Sequence, residues 1–411
     1  MVKSTIYPGP TTPIQGPVWA DEIMARMKTD HRFANKMKKD VCWADLAVMS
    51  ALSEPLRWSG AATQFGRVYL SSGTTGKSKR IHFSSRDWQE LVLYRAHCLA
   101  ALGVTRKSRA VVIVPFSPWF SGDNLGDALT NLGASVFCAG AYRPHLSSTL
   151  SIVHGLKADT LITLPSTAVA LLQILEEGRR MGVLPQTSSL RRVILVGEPA
   201  SFDLRTTLET ALGVTTHMLF AASEAVIGHE DPVQPGRYLW NPHWVHLEVR
   251  RDDGVIDAVG EGELLVSRRW SEATPIVRYP LGDRVMLRPA SKDQPGYFSY
   301  ICRQGRACQL PTGVTVDFPM LERFLEMLRP STKTLSVWAH HLEGGRTRLT
   351  LTLDRLPSGQ SPDSLVEIFA ALSLDVADVV ASGFVSLRVL LDPTLGAAGG
   401  KAIQVRETGA W

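Results

Sequence analysis

The chain has 411 residues, 45% of them hydrophobic and 20% charged, with a formal net charge of +5. That is the composition of an ordinary globular protein with core enough for two or more domains, and no segment reaches the roughly 18 uninterrupted apolar residues of a membrane span. The five cysteines, Cys42, Cys98, Cys138, Cys302 and Cys308, are odd in number and scattered, which argues for reduced thiols over a disulfide framework. Cys302 and Cys308 have no second pair beside them, so a zinc site is not expected. Met1–Pro10 lacks the apolar run of a secretory signal, and the expected location is cytoplasmic. The basic balance suits anionic ligands, although a solvated basic surface explains it equally well. No basic-aromatic stripe points to nucleic acid.

In chain order, the first segment with a chemical signature is Tyr69–Lys79, reading Tyr-Leu-Ser-Ser-Gly-Thr-Thr-Gly-Lys-Ser-Lys. Gly73 and Gly76 let the backbone turn so that its N–H groups converge on phosphate oxygens. Ser71, Ser72, Thr74 and Thr75 add neutral donors, and Lys77 or Lys79 adds positive charge. The bland alternative is a solvated Gly/Ser/Thr turn. The P-loop of nucleotide hydrolases, G-x-x-x-x-G-K-[ST], fits Gly76-Lys77-Ser78 but fails at Ser71, where its first glycine belongs. The chain beyond the loop differs as well. Arg80–Phe83 alternates polar and apolar as a strand does, and a helix start appears only at Ser84–Ser85. The loop is therefore expected to join two strands.

Arg109–Pro115 is a buried-strand run, followed by an irregular aromatic loop, Phe116–Asn124, and an amphipathic helix over Leu125–Leu132. Ala134–Cys138, Asp159–Pro165 and Arg192–Val196 read as further strands, the last two each followed by a helical pattern. Short apolar strands separated by helices predict α/β organisation with a mostly parallel, covered sheet. Ligands in such sheets bind beyond the carboxyl ends of the strands. The loops opened there carry Trp119, Phe120 and Gly122, then Pro165 and Ser166, then Gly197, Glu198 and Pro199. The first two groups, with the later Ala222, form a candidate pocket whose aromatics favour a flat aryl group over a long alkyl chain. The alternative is that Trp119 and Phe120 simply pack in a core. Towards the C-terminus, helices over Leu321–Leu328 and Asp363–Leu372 and strands over Leu335–Trp338, Arg348–Leu353 and Val385–Leu390 predict a small α+β domain. The expected division is a large domain over 1–304 and a small one over 305–411.

The loop Tyr69–Lys79 resembles the phosphate loop [YF]-x-S-S-G-[ST]-T-G-x-P-K of the adenylate-forming superfamily (acyl-CoA synthetases, adenylation domains of peptide synthetases, firefly luciferase), departing only in Ser78 for the proline. Further matches come in the family's order, from about residue 65 to 405. Val196–Pro199 resembles the segment whose backbone lies along adenine. Phe220–Glu224 is similar to Y-G-x-[ST]-E, which implies Phe220 stacking on adenine beside Ala221, Ser223 near the α-phosphate and Glu224 on Mg²⁺. Glu261–Leu264 and Pro275–Asp283 resemble G-E-L and R-Y-x-[TS]-G-D, which implies that Asp283 holds the ribose hydroxyls. Gly305–Arg306 resembles the G-R before the interdomain hinge, with Arg306 facing the ribose. Gly399–Ala402 is similar to the loop that carries a lysine, here Lys401, onto the reacting carboxylate and α-phosphate. The short length and the wording of these motifs look most like the phenylacetate-CoA ligase branch.

The resemblance implies a large adenylate-forming domain with a mobile C-terminal lid. It also implies ATP-dependent activation of a carboxylic acid as its acyl-adenylate, with release of pyrophosphate and then transfer to CoA. Lys401, Glu224, Thr74 and Lys79 would act on the reacting groups, with Mg²⁺ on Glu224. Transfer to an amine or to a carrier-protein phosphopantetheine shares the first half-reaction, and a catalytically idle nucleotide-binding protein is a remote alternative. The expected partners are small molecules or such a carrier, with no nucleic acid or membrane, and a monomer or homodimer is expected. Three departures matter. Ala307–Cys308 stands where the family carries a charged hinge residue, Ala221 replaces a glycine beside the stacking aromatic, and the branch's cysteine-rich segments are reduced to His229–Glu230 and Cys302, so no structural zinc is implied.

Overall fold

The structure, a computed structural model, describes residues 17–29, 66–70, 80–116, 119–141, 145–184, 188–290, 295–303, 306–310, 312, 314–329, 331–342, 346–395 and 403–408. The chain divides into two compact units, one of 1–68, 79–90 and 236–302 and one of 69–78, 91–235 and 303–411. The elements run α1 (Ala20–Thr29), β1 (Arg67–Leu70), β2 (Arg80–Phe83), α2 (Ser85–Ala101), β3 (Arg109–Ile113), α3 (Ser121–Asn131), β4 (Ser135–Cys138) and α4 (Leu146–Gly155). Next come β5 (Thr160–Thr163), α5 (Pro165–Arg180), β6 (Arg192–Val196), α6 (Phe202–Leu212), β7 (Thr215–Ala222) and β8 (Ala225–Glu230). The antiparallel part comprises β9 (Tyr238–Leu239), β10 (Val245–Arg250), β11 (Ile256–Asp257), β12 (Gly260–Arg268), β13 (Tyr279–Arg288) and β14 (Tyr297–Arg303). The last stretch holds β15 (Arg306–Gln309), β16 (Thr315–Asp317), α7 (Phe318–Met327), β17 (Leu335–Leu342), β18 (Arg346–Leu353), α8 (Pro362–Ala371), α9 (Leu374–Ala381), β19 (Val385–Leu391) and β20 (Ile403–Thr408).

In the second unit, strands β4, β3, β5, β6 and β7 lie side by side and parallel, and β8 returns antiparallel to β7. Residues 110–113, 160–163 and 193–196 are buried throughout, as expected for strands covered on both faces. The C-terminal residues of this unit build a core of their own, in which Phe324 meets Phe369 edge to face around Leu349, Leu351 and Val385. Their sheet runs β19-β18-β17-β20. Ser361 caps α8 by accepting from the Ser364 amide, and Ser373 caps α9, a short helix not among the expected elements.

In the first unit the order is β11-β10-β12-β13-β14-β9, and the pairs β10–β11, β10–β12, β12–β13 and β9–β14 are antiparallel. The parallel character expected from the sequence thus belongs to the second unit. Short connections such as 251–255 leave no room for a crossover helix and force hairpins. At the start of α2, Ser84 accepts from the Asp87 amide at 3.0 Å and Asp87 accepts from the Ser84 amide at 3.1 Å, a reciprocal cap that sets the helix where expected. β1 and β2 pair as a two-stranded sheet, so the Tyr69–Lys79 motif does join two strands. Among the described residues no helix is long and apolar enough to cross a membrane.

Candidate functional site

The parallel register decides which loops meet. Ile113 pairs with Thr163, Thr163 with Leu195, and Val196 with Leu219, so the loops after β3, β5, β6 and β7 leave the sheet at one end. After β6 the chain turns through Gly197 at φ +87°, a conformation that suits glycine, and a Cβ there would come within 3.1 Å of Leu164. The turn delivers Glu198 to the first turn of α5, where its carboxylate accepts from the Ser166 amide at 2.9 Å and the Ser166 hydroxyl at 2.9 Å. A carboxylate at a helix N-terminus satisfies a donor that the helix leaves open and meets the positive end of its dipole. Pro165 occupies the start of that helix, where its missing N–H costs nothing. Sequence reasoning named Pro165, Ser166, Gly197, Glu198 and Pro199 individually; the clamp between two of these loops has no signal in either segment alone.

Next to it, β7 and β8 form a hairpin whose two turn residues are Ser223 and Glu224, with Ala222 opposite Ala225. The register slips between Phe220 and Ala221. Such a bulge turns the side chains beyond it relative to the strand. Phe220, Ala221, Ala222 and Ser223 are half-buried, and Glu224 is buried. Tyr94 of α2 donates to the Ile227 carbonyl at 2.6 Å and so holds β8 against that helix.

The loop after β3 differs from its expected form. Residues Ser121–Asn124 are already helical, because α3 begins four residues before the apolar periodicity that announces it. Its first turn, Ser-Gly-Asp-Asn, carries no apolar residue to mark it. Phe120 is buried and meets Tyr69 edge to face at 6.3 Å, and the Tyr69 hydroxyl donates to Asp123 at 2.5 Å. Trp119 remains 37% exposed. Gly122 lies against the Phe116 ring, where a Cβ would stand 2.7 Å from the ring carbons. Gly122→Ala is therefore expected to displace Phe116 and to lower stability by about 1–3 kcal/mol, the usual cost of overpacking, measurable as a fall in Tm.

In the first unit, Asp283 is buried on β13. Between the Leu265–Pro280 and Glu263–Arg284 pairs, β13 advances four residues while β12 advances two. The surplus forms a bulge that contains Gly282 at φ +79° and Asp283 itself. Upstream, Arg278 holds φ +45°, uncommon for a side-chain-bearing residue. Its guanidinium grips Glu248 through two hydrogen bonds of 2.8 and 2.7 Å, with both side chains buried.

Several candidate residues lie outside the described residues: Ser71, Ser72, Gly73, Thr74, Thr75, Gly76, Lys77, Lys79 and Lys401. Of Arg306 the backbone alone is described, on β15. Cys308, at the position where a charged hinge residue was expected, is buried in the C-terminal core. Among the described residues no group of three metal-ligating side chains gathers.

The sequence profile of AMP-binding enzymes matches residues 64–269. The chain is 28% identical over 237 residues to phenylacetate-coenzyme A ligase of Escherichia coli (strain K12), covering 56% of this chain and 52% of that protein. Its identity to phenylacetate-coenzyme A ligase of Thermus thermophilus is 26% over 229 residues, covering 54% and 50%. The chain thus spans about half the length of these curated relatives. A crystal structure of 2-hydroxyisobutyryl-CoA ligase in complex with 2-HIB-AMP and CoA matches with a TM-score of 0.64 at 15% identity, over 84% of this chain and 74% of that one, a likeness of fold.

Proposed function

This chain belongs to the AMP-binding enzyme family, and we propose that it activates a carboxylic acid, of aryl or arylacetic type, as the acyl-adenylate and passes the acyl group to CoA. The observation that carries this reading is the gathering of the Gly197–Pro199 turn and the Phe220–Glu224 hairpin at the carboxyl ends of two adjacent parallel strands, β6 and β7. Open α/β sheets bind ligands there.

A carboxylate is inert to acyl transfer because its charge repels nucleophiles and oxide does not leave. In the proposed reaction a carboxylate oxygen attacks the α-phosphorus of ATP and pyrophosphate leaves. The CoA thiolate then attacks the carbonyl carbon and AMP leaves with the electron pair of the broken bond. Both steps ask the protein chiefly to align reactants and to neutralise charge. Ser71, Ser72, Gly73, Thr74, Thr75, Gly76, Lys77 and Lys79 would cradle the β- and γ-phosphates, with Thr74 and Lys79 nearest the charge that develops. Phe220 would stack on adenine beside Ala221 and the Gly197-Glu198-Pro199 backbone, Ser223 would donate to the α-phosphate, and Asp283 and Arg306 would hold the ribose. Trp119, Phe120, Gly122, Pro165, Ser166 and Ala222 would line the acid pocket.

Mg²⁺ would neutralise phosphate charge. Glu224 fits it as a lone carboxylate, because magnesium in such sites takes one or two carboxylates and completes its shell with phosphate oxygens and water. The division at about residue 304 and the lid role of 305–411 are part of the same proposal. Incubation with ATP and a panel of acids should release pyrophosphate most rapidly with benzoates and arylacetates. Product masses with CoA, with amines and with a pantetheinylated carrier then identify the acceptor. No pyrophosphate release with any acid would overturn the reading, and faster turnover of long-chain fatty acids would overturn the aryl assignment.

Asp283 supplies a sharper check. Asp283→Ala removes the proposed acceptor of two ribose hydroxyls and should weaken ATP binding by roughly 1.5–3 kcal/mol, the range for hydrogen bonds to charged groups. Calorimetric titration with ATP measures it, and unchanged affinity would remove Asp283 from the site.

A further inference from the structure

Arg95 projects from α2 and is buried, as is Asn124 in the first turn of α3. The Arg95 Nε donates to Asn124 Oδ1 at 2.9 Å. Among the described residues, both remaining guanidinium nitrogens, Nη1 and Nη2, lack any hydrogen-bond partner, and so does Asn124 Nδ2. The guanidinium lies 5.9 Å from the centre of the Phe120 ring. Burial pulls its pKa down to about 10.

Two other buried guanidinium groups, those of Arg205 and Arg278, are treated differently. Arg205 meets Glu230 through Nη1 at 2.7 Å and Nη2 at 2.9 Å, and Arg278 meets Glu248 in the same two-pronged way. An unopposed buried cation costs several kcal/mol, and a buried group left without partners in a native fold calls for an explanation. The location supplies one. Asn124 and Phe120 sit where α3 opens from the carboxyl end of β3, the end of the sheet that carries the candidate acid pocket. With Oδ1 committed to Arg95 Nε, the Asn124 amide retains its N–H₂ as a further donor.

We propose that Arg95 and Asn124 form a subsite for a second carboxylate on the acid substrate, remote from the carboxylate that is activated. The two guanidinium nitrogens match the two oxygens of a carboxylate as parallel donors, and Asn124 Nδ2 adds a third hydrogen bond. The substrate class is then a dicarboxylic aryl or arylacetic acid. This inference rests on the proposed acid-activating function.

The test compares carboxyphenylacetates with the corresponding methylphenylacetates in ATP–pyrophosphate exchange. The intact protein should favour the dicarboxylate in kcat/KM by at least roughly tenfold, since charge-assisted hydrogen bonds are at stake, and Arg95→Met should reverse the preference. A preference for the methyl compound, or an unchanged ratio in Arg95→Met, overturns the proposal. If Arg95→Met does not fold, Asn124→Ala keeps the charge and should lower the same ratio; no change in the ratio overturns it. Binding is read separately, without ATP, as the rise in Tm on adding each acid. A larger rise with the dicarboxylate, lost in Arg95→Met or lowered in Asn124→Ala, supports the subsite even if no acid supports exchange. Equal rises with both acids overturn it.

Discussion

Lys401→Ala is expected to depress acyl-adenylate formation by several orders of magnitude while leaving ATP affinity nearly intact. In the proposed mechanism a compact ammonium charge sits between two anions, the carboxylate and the α-phosphate, at the moment they approach. That interaction is strongest in the transition state, so its loss falls on kcat rather than on ground-state binding. Under the same proposal the lysine, far from Glu224 in sequence, would be brought to the same phosphate by closure of the C-terminal lid. A lid that rotates between half-reactions carries Lys401 away before thioester formation. The variant should then convert a chemically supplied acyl-adenylate to acyl-CoA at close to the original rate. Equal loss in both half-reactions would point instead to one fixed lid position. Burial of Cys308 in the C-terminal core makes that outcome informative, because the usual charged pivot is absent there. An unchanged rate of adenylation would remove Lys401 from the mechanism.

Arg278→Ala should lower stability strongly. It leaves Glu248 buried without its guanidinium partner, and removing one member of a buried ion pair costs about 3–5 kcal/mol. The change also removes the interaction that holds residue 278 at φ +45°, a conformation kept only where the surroundings over-determine it. Its backbone N–H is meanwhile held by Ser267 at 2.8 Å. Denaturant melts should show the midpoint falling with little change in slope. Replacing Arg278 and Glu248 together with apolar residues of like volume should recover much of the loss, because the penalty lies in the stranded charge. A single variant as stable as the original chain would show that the pair is solvated.

Local chemistry fixes some of these features and makes them visible in the sequence alone. The runs 109–113, 160–163 and 192–196 form strands, because a short, mostly apolar segment bounded by turn residues has few other uses. The reciprocal cap at Ser84 and Asp87 is a matter of residues three apart. The strand–loop–strand setting of Tyr69–Lys79 comes from polar alternation after the loop, and the ordered motifs from Tyr69 to Asp283 sufficed to indicate the family. Other features arise between segments distant in sequence. The start of α3 at Ser121 has no apolar period behind it, and α9, with Val376, Val379 and Val380 at helical spacing, is only eight residues long. The antiparallel sheet of the first unit, the bulge that sets Asp283 and the clamp of Glu198 on Ser166 all depend on pairing partners that no local window contains. Arg95 marks the limit most clearly. In the sequence it is an arginine in a helix that carries no motif; it becomes a candidate recognition group only because folding removes it from water and leaves two of its nitrogens without a partner among the described residues. Burial belongs to the whole fold, and it is burial that turns an ordinary charge into chemistry.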